Sequence, residues 1–193
     1  DKAQLAALTA AAVRVREAVK IPVGIDAAFN DCEASLSIAG ISGADFIRVP
    51  VFVDTVLFTD GIIYPCARKC MNFRKKMGLE HVKILADVQV KHATMLNPQI
   101  TVEISAKDAA SNGADAIIVT GAVIGMETPI DMLKRVQSVV KIPVLAGSGV
   151  NHNNIHEQLQ IADGCIIGSS LKKDGILTNP IDYDLVREVV EAL

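Results

Sequence analysis

The amino-acid sequence predicts an α/β fold built on a parallel sheet, and three observations lead to this prediction. Apolar runs typical of strands alternate with amphipathic or alanine-rich helical patterns along the chain. Half of the residues are hydrophobic but only 4% are aromatic, a composition that suits parallel strands covered by helices. Short turns rich in glycine and serine follow the last two strands. This alternation gives a parallel sheet that is either open or closed into a barrel.

The predicted elements alternate regularly, with a helix at each end of the chain. The strands are Ile21–Ala27, Asp45–Val49, Val82–Val88, Ala116–Thr120, Ile142–Ala146 and Cys165–Gly168. The helices are Lys2–Val19, Asp31–Ile41, Ala67–Met77, Thr101–Asn112, Pro129–Val140, Asn153–Leu159 and Tyr183–Ala192. The segment Pro50–Gly61 is predicted as a long loop, either a lid over the site or an oligomer contact.

An internal repeat favours a barrel over an open sheet of six strands. The segment Val19–Val23 recurs as Val140–Val144, and Gly43–Ile47 is echoed by Gly113–Ile117 and, more loosely, by Ala162–Ile166. Copies four strands apart are what duplication of a half-barrel would leave. An eight-stranded barrel usually needs about 250 residues. We therefore expect residues 1–193 to form one domain, a TIM (β/α)8 barrel without its first two strands, with a complete open sheet as the alternative.

Charge and hydropathy exclude several classes of partner. The net charge is -3 and the pI is about 5.8, so the chain as a whole does not attract nucleic acid or anionic membranes. No apolar stretch approaches the roughly 20 residues of a membrane span. We expect a cytoplasmic protein with no nucleic-acid partner and no membrane span, and a homo-oligomer is possible.

The cysteines and histidines do not predict a metal centre. The four cysteines have no disulfide-framework spacing, and we interpret them as reduced thiols: Cys32, Cys66, Cys70 and Cys165. Spacings of four between Cys66 and Cys70, and between His152 and His156, would permit metal binding on a helix face. The cysteines have no second ligand pair at a known metal spacing, and the histidines have no accompanying carboxylate or third histidine nearby. The sequence therefore predicts no metal and no cofactor.

The turns after the last two strands are candidates for phosphate binding. In α/β barrels these two turns commonly bind phosphate through backbone N–H groups and a helix N-terminus. Glycine lets the backbone approach an anion closely, and serine adds a hydroxyl donor. Ordinary helix entries use the same residue types, so plain turns are the alternative interpretation. The candidate residues are Gly147, Ser148 and Gly149 in the first turn, and Gly168, Ser169 and Ser170 in the second.

Candidate catalytic residues stand at the C-terminal ends of the strands, where barrel side chains face the site. The rule selects Asp26, Arg48, Asp87, Gln89, Lys91, His92, Thr120 and Ser148. Asp87 or His92 could act as a general base, and Lys91 could act as an electrostatic partner or form a Schiff base. Alternatively, Asp87 forms a structural ion pair with Arg48 or Lys91. For His92, the alternative to catalysis is a capping or surface role.

Several of these segments together resemble the BtpA family, which includes the SgcQ-type proteins. The motifs that carry the resemblance are Ala44–Val49, Lys83–Ala93, Ala116–Gly121, Pro143–Val150, Asp163–Gly175 and Asn179–Asp182. The resemblance implies a (β/α)8 barrel and a cytoplasmic protein. The chain departs from the family pattern at four positions that flank the expected site: Asp26, Phe29, Pro50 and Gln89.

Two functions are compatible with these features. The first is an enzyme that binds a small phosphorylated metabolite, a sugar or nucleoside phosphate, with aldolase, isomerase or glycosidic-bond chemistry. Its phosphate would lie at the turns after the last two strands. The second, suggested by the family's name, is a non-catalytic biogenesis or stability factor of the photosystem I type, with the Pro50–Gly61 segment as its contact surface.

Overall fold

The computed structural model describes residues 1–27, 29–121 and 126–193. Its strands are β1 (Gly24–Ile25), β2 (Phe46–Val49), β3 (Val56–Phe58), β4 (Gly61–Ile63), β5 (Lys83–Val88), β6 (Thr94–Met95), β7 (Ala116–Val119), β8 (Val144–Ala146) and β9 (Gly164–Cys165). Its helices are α1 (Lys2–Ala18), α2 (Cys32–Ser42), α3 (Ala67–Lys76), α4 (Val102–Ser111), α5 (Ile130–Gln137), α6 (Ile155–Leu159) and α7 (Tyr183–Glu191). None of these helices is long and apolar enough to cross a bilayer.

The main sheet contains six parallel strands in the order β1-β2-β5-β7-β8-β9. Every predicted strand contributes to this sheet, and a helix follows each of the first five strands before the chain enters the next one. Eight strands are needed to close a barrel of this type. The sheet is accordingly open between β1 and β9, and the prediction of a TIM-type fold is confirmed.

Aliphatic side chains cover the sheet on both faces, as expected for parallel strands. All four residues of β7 are buried, and Ile117 and Ile118 point to opposite faces because strand side chains alternate. Ile117 belongs to the main core, which Leu36 of α2 and Leu133 of α5 also enter. Ile118 instead lines a cavity on the concave face. The packing therefore separates an outer core under the helices from an inner space at the strands.

The repeated aspartates hold neighbouring strands in register. The carboxylate of Asp45 accepts a hydrogen bond from the N–H of Val23 at 2.8 Å. Asp163 accepts from Val144 N at 2.8 Å, and its own N–H donates to the Val144 carbonyl at 2.9 Å. Asp115 makes the same two contacts with Ile84, at 2.9 and 2.8 Å. The repeat seen in the sequence thus places the same aspartate hydrogen bond between three pairs of neighbouring strand segments.

The segment Pro50–Gly61 is not a plain loop, and this part of the prediction is wrong. It contains β3, which pairs antiparallel with β4 on one side and with β6 on the other. Phe58 of β3 stacks on Phe29 with ring centroids 4.9 Å apart. The sequence did not reveal this small sheet because its strands have only two or three residues. Strand β6 also comes from a distant part of the chain.

We predict that Asp163→Ala lowers the free energy of unfolding by about 1–3 kcal/mol, because the buried N–H of Val144 loses its acceptor. Asp163→Asn keeps an acceptor oxygen at the same place and should cost less. Urea unfolding of both variants measures the difference. Equal losses in the free energy of unfolding for the two substitutions would show that the side-chain oxygen of Asp163 does not stabilise the strand contact.

Candidate functional site

A bidentate ion pair joins two neighbouring strands at the C-terminal edge of the sheet. Arg48 of β2 donates from Nε to Oδ1 of Asp87 at 2.9 Å and from Nη2 to Oδ2 at 2.7 Å. The Asp87 side chain is completely buried, whereas the Arg48 side chain is 21% exposed. The pair adopts the parallel fork geometry that gives arginine–carboxylate contacts their strength and direction. The structure therefore pairs Asp87 with Arg48, and a role of Asp87 as general base stays a prediction.

Burial and charge act against each other in this pair. Desolvation raises the pKa of the Asp87 carboxyl above its usual range, and the hydrogen bonds from Arg48 oppose that rise. For Arg48, desolvation would lower the pKa, but the contact with Asp87 and the charge of Asp26 raise it overall. The guanidinium therefore stays protonated. Asp87 depends on it to remain charged in a buried position.

Two further charged groups surround this pair. Asp26 follows β1, and desolvation raises the pKa of its carboxyl against the opposing charge of Arg48. Lys91 follows β5 and is half-buried, and desolvation together with the charge of Arg48 lowers its pKa, while Asp87 opposes the shift. Asp26, Arg48, Asp87 and Lys91 thus form one electrostatic cluster. We call it the acid–base cluster.

The cluster stands beside a cavity on the concave face of the sheet. The cavity has a volume of about 490 Å³. Asp26 and Arg48 supply its charged lining, and apolar side chains supply most of the rest: Ile25, Phe46, Leu85, Ile118, Leu145, Cys165, Ile166 and Ile167. A mostly apolar cavity with a few converging polar groups is the usual form of a small-molecule site.

A strained segment after β5 carries Lys91, and a residue that the sequence analysis did not select supports it. Gln89 and His92 both have positive φ, at 47° and 64°. The buried Asp54 accepts from the N–H of Gln89 at 2.8 Å and from the hydroxyl of Ser105 at 2.6 Å. Lys91 N donates to Thr120 Oγ1 at 3.2 Å. No local pattern could have revealed Asp54, because it lies 35 residues from Gln89.

His92 does not share the enclosed surroundings of the acid–base cluster. It is exposed, and no side-chain hydrogen bond joins it to Arg48 or Asp87 among the described residues. Its catalytic role therefore stays a prediction, beside the alternative of a surface turn residue.

The turn after β8 uses most of its polar groups to hold the preceding loop. Gly147 N donates to the Val119 carbonyl at 2.7 Å. The hydroxyl of Ser148 accepts from Gly121 N at 2.6 Å and donates to the Met126 carbonyl at 3.0 Å. Its N–H donates to the hydroxyl of Thr128 at 3.3 Å. Thr128 is fully buried, and the sequence analysis did not select it.

Gly149 completes this turn in a left-handed conformation with φ 69°. A Cβ there would lie 2.4 Å from the backbone of Glu127, so the glycine is required by close contact between two backbone segments. Gly147 is similarly restricted, since a Cβ would lie 2.5 Å from Ile118 Cγ2. Packing inside the protein therefore accounts for both glycines, and the predicted anion contacts of Gly147 and Ser148 have no free donor in this conformation.

The turn after β9 is more open. Gly168 precedes a 3₁₀ segment, Ser169–Leu171, and a Cβ added to Gly168 would meet no atom within 4 Å. The hydroxyl of Ser170 donates to the Val150 carbonyl at 2.6 Å, which ties this turn to the one after β8. Within the described part of the chain, the N–H groups of Gly168, Ser169 and Ser170 have no protein acceptor. Three free donors here could bind an anion.

The histidines considered for metal binding contact other polar side chains, and the cysteines lie in the core. His152 lies 3.6 Å from the carboxylate of Glu188, and His156 contacts Gln160 at 3.3 Å. Cys66 and Cys70 lie together with Cys32 in the core. In residues 1–27, 29–121 and 126–193, no group of three or more His, Cys, Asp or Glu is arranged to hold a metal ion.

We predict that Arg48→Met destabilises the fold by about 3–5 kcal/mol at pH 7, because Asp87 becomes an uncompensated buried charge. The native pKa of Asp87 then lies well above its unfolded value. The folded state binds the proton more tightly, so the stability of the variant should rise as the pH falls from 7 toward 5. Urea unfolding across this pH range measures the effect.

The double variant Arg48→Met/Asp87→Leu is the control, since it removes both charges and should recover much of the lost stability. A loss for Arg48→Met that does not change with pH would contradict the role of Asp87.

Solved structures with the same fold include several enzymes. The chain aligns with 3-hexulose-6-phosphate synthase from Salmonella typhimurium at TM-score 0.66 and 16% identity, over 96% of this chain and 79% of that one. It aligns with thiamine phosphate pyrophosphorylase from Pyrococcus furiosus at TM-score 0.65 and 15% identity, over 97% and 76% of the two chains. At these identities the similarity shows the fold alone.

Other proteins share a higher sequence identity with this chain than these solved structures do. The chain is 40% identical over 192 residues to an uncharacterized protein of Methanocaldococcus jannaschii, with 98% of this chain and 72% of that protein covered. It is 36% identical over 196 residues to the photosystem I biogenesis protein BtpA of Synechocystis, with 100% and 67% covered. The BtpA family matches residues 1–193. The resemblance noted in the sequence is confirmed, and the chain belongs to the BtpA family.

Proposed function

We propose that this protein is an enzyme that acts on a small phosphorylated metabolite, a sugar phosphate or a nucleoside phosphate. The observation that carries the proposal is the arrangement of the concave face. One side of the cavity carries Asp26 and Arg48, and the other is formed by Ile166 and Ile167, which lead directly into the open turn at Gly168. A substrate with an anionic end and a polar reacting end matches this arrangement.

The phosphate end of the substrate would bind the turn after β9. The N–H groups of Gly168, Ser169 and Ser170 supply three donors, and Gly168 leaves space for the oxygens. The turn after β8 supports this turn through the contact between Ser170 and Val150. Both similar enzymes named above have phosphate in their names, and we extend that class of ligand to this chain as part of the proposal.

The reacting end would meet the acid–base cluster. Asp26 is the proposed general base, because its raised pKa makes the carboxylate more basic and it lines the cavity directly. Lys91, whose pKa is lowered, would stabilise negative charge or attack a carbonyl carbon. Arg48 is held rigidly by Asp87 and would orient a substrate oxygen through its exposed fraction. Isomerase, aldolase and glycosidic-bond chemistry are all compatible with these groups.

We predict that a phosphorylated sugar or nucleoside raises the melting temperature of the protein, whereas its unphosphorylated counterpart does not. A ligand present at 100 times its Kd should stabilise the fold by about 2.7 kcal/mol. Thermal unfolding with a panel of such pairs, including inorganic phosphate, measures the effect. A panel without any phosphate-dependent shift would contradict the proposal.

Gly168→Asp is the matched variant for this experiment. Its side chain starts in open space, so the ligand-free melting temperature should change little. The added carboxylate would repel the phosphate, and the shift should be lost. A shift that persists in this variant would exclude the turn after β9 as the phosphate site.

For a compound that binds and turns over, we expect Asp26→Asn to lower kcat by about 10²–10⁴-fold, the usual range for loss of a general base. In the unsubstituted protein kcat/KM should rise with pH through a pKa above that of an ordinary aspartate, because only the carboxylate accepts a proton. The variant should lose this part of the pH profile. An unchanged profile would exclude Asp26 as the base.

The alternative function is a non-catalytic biogenesis factor, as the name of the Synechocystis relative suggests. One observation favours it. The small sheet of β3, β4 and β6, with the residues beside it, exposes several large apolar side chains: Leu57, Ile62, Tyr64 and Leu96. Capture of a specific partner that Leu57→Lys abolishes, by a protein that turns over no phosphorylated compound, would favour this function over the enzyme.

A further inference from the structure

Three cysteines lie where α2 packs against α3, one from the start of α2 and two from the start of α3. Cys32 is the first residue of α2, Cys66 immediately precedes α3, and Cys70 lies one turn into that helix. Cys32 and Cys66 line the same cavity, and all three cysteines are buried where these two helices pack together. Their exposed fractions are 2%, 9% and 0%, in the order 32, 66 and 70. The reacting site proposed above uses none of them.

Two of the three cysteines line a cavity of their own. This cavity has a volume of about 450 Å³ and contains Cys32, Cys66, Asn30 and Lys69 in its wall. Cys70 does not line it and is completely buried. A small polar oxidant could therefore reach Cys32 and Cys66 but not Cys70.

The surroundings of Cys32 favour its thiolate. The residue stands at the N-terminus of α2, where the helix dipole stabilises negative charge. The thiols of Cys66 and Cys70 lower the pKa of Cys32 by hydrogen bonding, and the nearby charge of Lys69 acts in the same direction. The same contacts, together with burial, raise the pKa values of Cys66 and Cys70.

Two carboxylates also face this region, and both are engaged. Glu33 accepts from Lys69 Nζ at 2.9 Å, and Asp31 accepts from the N–H of Ala34 at 3.0 Å. Their charges are thereby partly compensated.

Contacts with Asn30 and Phe52 hold Cys66 in place. Its thiol lies 4.0 Å from Oδ1 of Asn30, and its N–H donates to the Phe52 carbonyl at 3.1 Å. Asn30 in turn exchanges two hydrogen bonds with Val51, at 2.8 and 3.0 Å. The thiol is therefore fixed beside Cys32 by the segment that follows β2.

We propose that Cys32 and Cys66 form a peroxide-sensitive thiol site that closes to an intramolecular disulfide. The Cys32 thiolate attacks one oxygen of hydrogen peroxide, the O–O bond breaks, and Cys32 becomes a sulfenic acid while hydroxide leaves and takes up a proton. The Cys66 sulfur then attacks the Cys32 sulfur, an S–S bond forms, and the second oxygen leaves as water. Two thiols lose two electrons in total, and one peroxide is reduced to two waters.

The test uses the reduced full chain treated with hydrogen peroxide, followed by blocking of free thiols and peptide mapping without reductant. We expect a peptide crosslinked between Cys32 and Cys66 that reductant separates. Cys165 is the internal control, because it is less buried than Cys32 and stands apart from the cluster. It should be oxidised at least about tenfold more slowly than Cys32, since it lacks thiolate stabilisation and its pKa is raised by burial.

Variants distinguish the roles of the thiols. Cys66→Ser should leave the Cys32 sulfenic acid without its partner, where a carbon nucleophile such as dimedone can trap it. Cys70→Ser should still form the crosslink. The wild-type mapping does not depend on the folding of either variant. A crosslink between Cys32 and Cys70, oxidation of Cys165 at an equal rate, or no crosslink at all would each overturn the proposal.

Discussion

The ion pair between Arg48 and Asp87 sets the chemistry available at the concave face of the sheet. Parallel strands bring their carboxyl ends to one edge, so residues 39 positions apart in sequence face each other there. A carboxylate without exposure to water remains charged only beside a compensating charge. Arg48 supplies that charge and in turn influences Asp26 and Lys91. Removing it would change the protonation of the whole cluster.

Precise placement of this cluster depends on groups that touch no substrate in our proposal. Asp54 holds the positive-φ residue Gln89, and Thr120 holds the N–H of Lys91. These contacts come from the small sheet region and from β7, so several strands determine one position. Strained backbone persists only where the surrounding structure over-determines it. The contacts of Asp54 and Thr120 therefore maintain the strained backbone between Gln89 and His92, and with it the geometry of the site.

The sequence predicted phosphate binding at both turns, after β8 and after β9, but the contacts of the two turns differ. In the first turn, the N–H groups of Gly147 and Ser148 and the hydroxyl of Ser148 hydrogen-bond to other parts of the protein. The second keeps free N–H groups and open space at Gly168. A glycine-serine turn can serve either purpose, because the same small residues permit close contact with a backbone or with an anion. Only the neighbours of each turn distinguish the two uses.

The sequence by itself determined the order of the elements, since alternating strands and helices leave a strong periodic signal. The six strands of the main sheet and the seven helices of the described residues were predictable in this way, and the resemblance of several motifs predicted the family. It also selected Asp26, Arg48, Asp87 and Lys91, because a barrel places strand ends at the site. Tertiary structure decided that Asp87 pairs with Arg48, what Ser148 binds, and that Cys32 and Cys66 line one cavity. Each of these depends on contacts between distant segments, which no local pattern records.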